Sequence, residues 1–313
     1  MIPPTSSFAK LAQQVVVLMI SLSLSLGLAA LFTNSASAGS ALTKDKLERR
    51  AASKSTETKA EPRTIGYDIV SVDAQNPEYF VQGYAIRDQQ LFISSGGYSS
   101  SRVVIENLDR DSGGPSSKVL LDKRLPDFIF AEGLTHTPKH TVVLSWRAGL
   151  AFFFDDSMTL QFRRRYQHEG WGLAYDAGRD DEGKRREASL LVSDGSERIR
   201  AYDLEMSKIQ RTYVVSSEDG PLNGLNELET VGDILFINRW TKNEILIYDL
   251  NRAALHGVLD LSAITKKHRK LLRYNRDAVL NGIAYDNKQG GLWITGKLWP
   301  KRYLIRPKMS ELF

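Results

Sequence analysis

No cysteine occurs anywhere in this 313-residue chain. That absence excludes disulfides, a thiol nucleophile, a thiolate metal site and a lipid-modified cysteine. Histidine is scarce as well. The five present (His136, His140, His168, His256 and His268) show no paired ligand spacing, so no metal site and no cofactor are expected. Neither a phosphate-cradling glycine loop nor a GxSxG nucleophile elbow is found. A large charge imbalance is missing too. The formal net charge is +5, and residues 1–38 contain Lys10 and no acid, which leaves 5 − 1 = +4 for the remainder. That is too mild to imply a nucleic-acid partner.

Long hydrophobic runs are absent except for Val15 to Phe32. This run is broken by serines, preceded by Lys10 and followed by Ala36-Ser37-Ala38. A basic start, an apolar core and a small-residue site mark a secretory signal cut after Ala38. At eighteen residues the run can also just span a bilayer, so an uncleaved membrane anchor is the competing reading. Either reading predicts an exported protein, periplasmic or extracellular, that relies on its own core rather than on disulfides. Residues 39–63 are rich in Lys, Arg, Glu, Ser and Thr and nearly free of large apolar residues, which predicts a flexible linker. The folded domain is expected over residues 64–313.

What is present is almost entirely strand pattern. Short apolar runs separated by turn residues fall into groups of four, repeating about every 50 residues. The groups open at Tyr79, Phe130, Glu169, Leu225 and Leu280, and the last offers only three strands. A spare strand, Tyr67 to Val72, precedes the first group. The pattern predicts an all-β, five-bladed β-propeller whose ring closes by pairing that N-terminal strand with the last blade, leaving no edge. A β-sandwich is the rival architecture, and it does not explain the recurring openings. Two inserts interrupt the repeat. Arg179 to Glu187 reads as a solvated, charged excursion. Thr265 to Arg276 reads as a short basic helix, either a solvated loop region or a contact for an anionic partner.

Meander geometry puts the start of each first strand and the end of each second strand on one face of the ring. That face would collect Gln82, Glu132, Glu169, Asn226 and Asn281 from the openings. Trp146, Asn238, Trp240, Lys297 and Trp299 would come from the second-strand ends, near Trp171. An aromatic-walled pocket with a few polar groups suits a small ligand. The competing reading is structural: glycine pairs as tight turns, tryptophans as interblade packing, polar groups solvating a tunnel.

The ordered series VQG, FAEGLT, LSW, EGWGLAYD, SDGS, LNELE, NRW, VLNGIAYD and TGKLWP, running from Tyr79 to Tyr303, resembles the glutamine cyclotransferases of the plant and bacterial type. The resemblance implies a five-bladed propeller that converts N-terminal glutaminyl residues to 5-oxoproline and releases ammonia. It assigns the catalytic glutamate to Glu132 as general acid and base, in preference to Glu169 and Glu227. Substrate-binding positions would be Phe80, Gln82, Trp146, Glu169, Trp171, Asn226, Trp240 and Lys297. The implied partners are peptides or proteins with N-terminal glutamine, handled by a monomer, with a membrane involved only if the signal stays uncleaved. Ile93 stands where the family's YESTG motif has glutamate, removing a group that could meet the substrate amine, and Val143 replaces the glutamine of QLTW. The alternative is a propeller with altered catalysis that binds peptides or glycans through the same aromatic face. A propeller lactonase or sugar hydrolase, which would need a divalent ion, is the weaker third reading.

Overall fold

The computed structural model describes residues 62–108, 118–178 and 186–308. The expected signal segment and nearly all of the expected linker lie outside the described residues. Twenty strands pair into five four-stranded antiparallel sheets. Blade 1 comprises Val81–Arg87, Gln90–Ser95, Arg102–Asn107 and Val119–Arg124. Blade 2 comprises Ala131–His136, Thr141–Ser145, Leu150–Phe154 and Leu160–Arg165. Blade 3 follows with Leu173–Asp176, Ser189–Ser193, Arg198–Tyr202 and Ile209–Val214. Blade 4 has Leu225–Val231, Ile234–Arg239, Glu244–Asp249 and Ala254–Asp260. Blade 5 has Leu280–Asp286, Gly291–Gly296 and Lys301–Pro307, completed on its outside by Tyr67–Ala74.

That last pairing closes the ring, as expected from the strand count. Tyr67–Ala74 runs antiparallel to Lys301–Pro307, with Tyr67 opposite Pro307 and Ala74 opposite Lys301. The innermost strands touch in a closed circuit, blade 5 returning to blade 1. The core is not central but divided among the interfaces. Five hydrophobic clusters fill the five gaps between neighbouring blades. The inner strands are therefore buried on both faces, which is why Leu150–Phe154 reads as an unbroken apolar run. The outermost strands keep one wet face and alternate, as Leu160–Arg165 does.

Several local expectations need correction. Arg63, assigned to the linker, already belongs to the fold. Its carbonyl accepts the Val258 N–H at 2.9 Å, and Ile65 N–H donates to Val258 O at 2.8 Å. Within the insert Arg179 to Glu187, residues 179–185 lie outside the described residues, but Arg186 is not solvated. It pairs with Asp176 at 3.3 Å and Asp233 at 2.9 Å and also bonds Asn251, tying blade 3 to blade 4. The first strand of blade 3 starts at Leu173 rather than at Glu169. A two-stranded hairpin, Ser216–Ser217 with Gly220–Pro221, was not anticipated. The basic insert does form helix: one α-turn, Ser262–Thr265, followed by a 3-10 stretch, Lys266–Arg273.

Candidate active site

Four of the five recurring polar openings turn out to be β-bulges, the exception being that of blade 3. The first-strand register jumps from Val81 to Gly83, Ala131 to Leu134, Leu225 to Leu228 and Leu280 to Ile283. The residues passed over include Gln82, Glu132, Asn226 and Asn281. A bulge releases a residue from the ladder and re-aims its side chain, so polar groups can leave an otherwise apolar strand. Glycine beside the bulge lets neighbouring blades approach. A Cβ on Gly133 would lie 2.4 Å from the Leu173 nitrogen. Side chains from three second-strand ends then staple the next opening: Ser94 donates to the Glu132 carbonyl, Ser193 to the Asn226 carbonyl at 2.7 Å, and Asn238 accepts the Gly282 N–H at 2.9 Å.

The nine residues singled out from the sequence all line one cleft of about 410 Å³: Phe80, Gln82, Glu132, Trp146, Glu169, Trp171, Asn226, Trp240 and Lys297. Glu132 is only 5% exposed. Gln82 donates from Nε2 to Glu132 Oε1 at 3.0 Å, and Asn281 stands behind Gln82, donating to the Val81 carbonyl at 2.9 Å. Lys297 Nζ lies 5.0 Å above the Phe80 ring. Asn226 is buried, and its Oδ1 has no hydrogen-bond partner among the described residues. Trp171 and Trp240 meet edge to face at 5.9 Å.

Glu169 orients two of the indoles. It sits in the loop before blade 3, and its Oε2 accepts from Trp146 Nε1 at 2.7 Å and from Trp171 Nε1 at 3.0 Å. Arg147 bonds its other oxygen at 3.0 Å and stacks over the Trp146 ring at 3.8 Å. Burial alone would raise the Glu169 carboxyl, but hydrogen bonds from Trp171, Trp146 and Arg147 outweigh it and hold the group below its usual range. Glu132 shows the opposite balance. Burial pushes its carboxyl well above the usual carboxylate range, Lys297 pulls it partly back, and Glu169 adds to the rise. Burial likewise lowers the Lys297 ammonium, opposed by Glu132 and Asp277. A carboxyl group and an ammonium group thus face one cleft with their proton affinities moved toward each other. Such a pair can exchange protons with a bound ligand.

Some expected members are elsewhere. Trp299 does not wall the cleft. Leu298 takes a left-handed φ of 61°, which folds the indole back over Gly296, where a Cβ would come within 2.3 Å of it. It stacks instead on His268, ring centroids 4.1 Å apart. Ile93 and Val143 do not face the cleft either. Both are fully buried between blades, Ile93 toward blade 5 and Val143 toward blade 1. Sequence reasoning missed Phe130, Arg147 and Asp277, which also line the cleft. The signal for Phe130 was its place in the FAEGLT motif, two residues before Glu132. Its ring packs edge-on against Trp146 at 5.5 Å. Asp277 comes from the far end of the basic insert and carries no local signal.

Comparison with known proteins agrees with this arrangement. The family described as glutamine cyclotransferase matches residues 41–307. A glutaminyl-peptide cyclotransferase of Arabidopsis thaliana is 30% identical over 248 residues, covering 78% of this chain and 72% of the relative. The crystal structure of Myxococcus xanthus glutaminyl cyclase superposes with a TM-score of 0.69 at 28% identity, covering 79% of this chain and 98% of that one. With its five-bladed ring and its motifs in order around one cleft, this chain belongs to the glutamine cyclotransferase family.

Proposed function

We propose that the protein is a glutaminyl-peptide cyclotransferase, converting an N-terminal glutaminyl residue to 5-oxoproline and releasing ammonia, with Glu132 as the proton carrier. The observation behind this reading is the buried carboxyl of Glu132, raised in proton affinity, in an indole-walled cleft. The substrate's α-amine attacks its own side-chain carboxamide carbon. As the N–C bond forms, electrons move onto the carboxamide oxygen, and ionised Glu132 takes the proton leaving the amine. The tetrahedral intermediate then collapses. Glu132 returns that proton to the carboxamide nitrogen, the C–N bond breaks, and ammonia departs.

Both reacting groups sit on one residue, so alignment rather than a new nucleophile supplies most of the acceleration. Trp146, Trp171 and Trp240 confine the glutaminyl side chain and exclude water, with Phe80 completing the wall. Gln82 occupies Glu132 Oε1 and leaves Oε2 for the amine. Lys297 donates toward the developing oxyanion, and Asn226, also in the cleft lining, helps orient the carboxamide. The signal-like pattern of residues 1–38 supports an exported enzyme acting on peptides outside the cytoplasm.

The test is a Gln-initiated peptide incubated with purified protein, following ammonia and 5-oxoproline for wild type and Glu132→Gln. Turnover by wild type that is lost in the variant supports the reading. Product no faster than spontaneous cyclisation, with peptide still bound, would favour the non-catalytic binding propeller instead.

A further inference from the structure

The cleft shares a wall with a second groove of about 330 Å³. Trp240 of the cleft is followed by Thr241 of the groove, Asp277 by Ala278, and Lys297 lies two residues before Trp299. Consecutive Cα atoms are about 3.8 Å apart, so the two depressions adjoin. The groove's other side is the basic helical insert, where exposed Lys266 and Arg269 stand beside Ser262 and Thr265. Between residues 265 and 276 there are six cations, and none has a carboxylate partner among the described residues. The insert is nonetheless anchored: His268 is buried, stacks on Trp299 and bonds the Tyr303 hydroxyl at 2.9 Å. These charges are held at a fixed place beside the cleft.

We propose, building on the cyclase reading above, that this groove receives the residues following the N-terminal glutamine and selects acidic side chains there through Lys266 and Arg269. The charge pattern is complementary to such a substrate. Glu132 faces the end that takes the amine, and Lys266 and Arg269, with no carboxylate partner among the described residues, flank the path beyond it. An extended peptide advances about 3.3 Å per residue, so the side chains two to four places after the glutamine fall within reach of the adjoining groove.

The experiment measures kcat and KM for amidated Gln-Ala-Glu-Glu, Gln-Ala-Ala-Ala and Gln-Ala-Lys-Lys, using wild type and the Lys266→Glu/Arg269→Glu double variant. An exposed ion pair changes affinity about two- to fivefold, so two pairs give the acidic peptide an advantage of about tenfold over the basic one. The advantage resides in KM, fades at about 0.5 M salt, and reverses in the variant, while kcat on the neutral peptide stays unchanged. Turnover of all three peptides at equal kcat/KM overturns this proposal alone. No turnover of any peptide removes the cyclase reading and this proposal with it. A variant that loses binding to anionic vesicles but keeps the peptide preference reassigns the insert to a membrane surface and also overturns it.

Discussion

Two buried glutamates two blades apart, Glu132 in blade 2 and Glu227 in blade 4, sit at equivalent bulges and serve different ends. Both carboxyls are driven well above the usual range by burial. Glu227 spends its Oε2 on the Ile283 N–H at 2.8 Å, joining blade 4 to blade 5, and only carboxylate and backbone groups act on it. Glu132 is held by one side chain, lines the cleft and has Lys297 acting on it. Raised proton affinity is therefore a property of the ring's interior, not a mark of catalysis. Access to the cleft and a neighbouring cation separate the two groups.

The sharpest way to break this comparison is to neutralise each glutamate in turn. Glu132→Gln keeps size and hydrogen-bonding capacity but cannot shuttle a proton, so kcat should fall about 10²- to 10⁴-fold with the melting temperature nearly unchanged. Glu227→Gln keeps the acceptor for Ile283 and should leave kcat within about twofold, since nothing in the proton transfer passes through it. Equal losses in the two variants would dissolve the distinction.

Lys297→Met tests the cation, with a loss in kcat of about 10²-fold, the scale of removing one oxyanion donor. The pH profile of kcat/KM carries the sign. Wild type needs Glu132 ionised and Lys297 protonated, so its acid limb lies above the ordinary carboxylate range and its alkaline limb below the ordinary lysine range. Removing the positive charge raises Glu132 further. The acid limb should move to higher pH and the alkaline limb should disappear. Glu169→Ala acts on the wall rather than the chemistry. With Trp146 and Trp171 no longer tethered, KM should rise about tenfold while kcat changes little.

Much of this was legible beforehand, for physical reasons. Strands buried on both faces give continuous apolar runs, and the turns between them need Gly, Asp and Asn, so blades and ring closure follow from counting. Gln82, Glu132, Asn226 and Asn281 stood out because a polar residue beside a first-strand start has few uses except a bulge. Position along a strand did not, however, report facing. Ile93 lies near a second-strand end like Trp146, yet its register opposite Tyr84 and Val104 turns it into the interface with blade 5. Arg186 looked solvated because its neighbours in sequence are charged, whereas its partners Asp176 and Asp233 come from two different blades. Long-range pairing of that kind leaves no trace in local pattern.

Glu229, two residues beyond Glu227, gives the smallest and most specific test. Burial raises its carboxyl to about 8, against the opposing Tyr285 and Thr230 N–H groups, and its Oε1 accepts the Tyr285 N–H at 2.7 Å. The unfolded chain gives up this proton near the ordinary value of 4.5, and the folded chain only near 8. Between those limits the unfolded state binds fewer protons, so stability falls as pH rises through the window and is fully present below it. The side chain is partly exposed, which limits the cost to about 1 kcal/mol. Glu229→Gln removes the titration but keeps the acceptor. The melting temperatures of variant and wild type should coincide at about pH 3.5, and the variant should melt about 2–4 °C higher at pH 8. Because Glu229 lies outside the cleft, kcat should not move. An unchanged difference between the two pH values would mean that the Glu229 carboxyl titrates alike in the folded and unfolded chain.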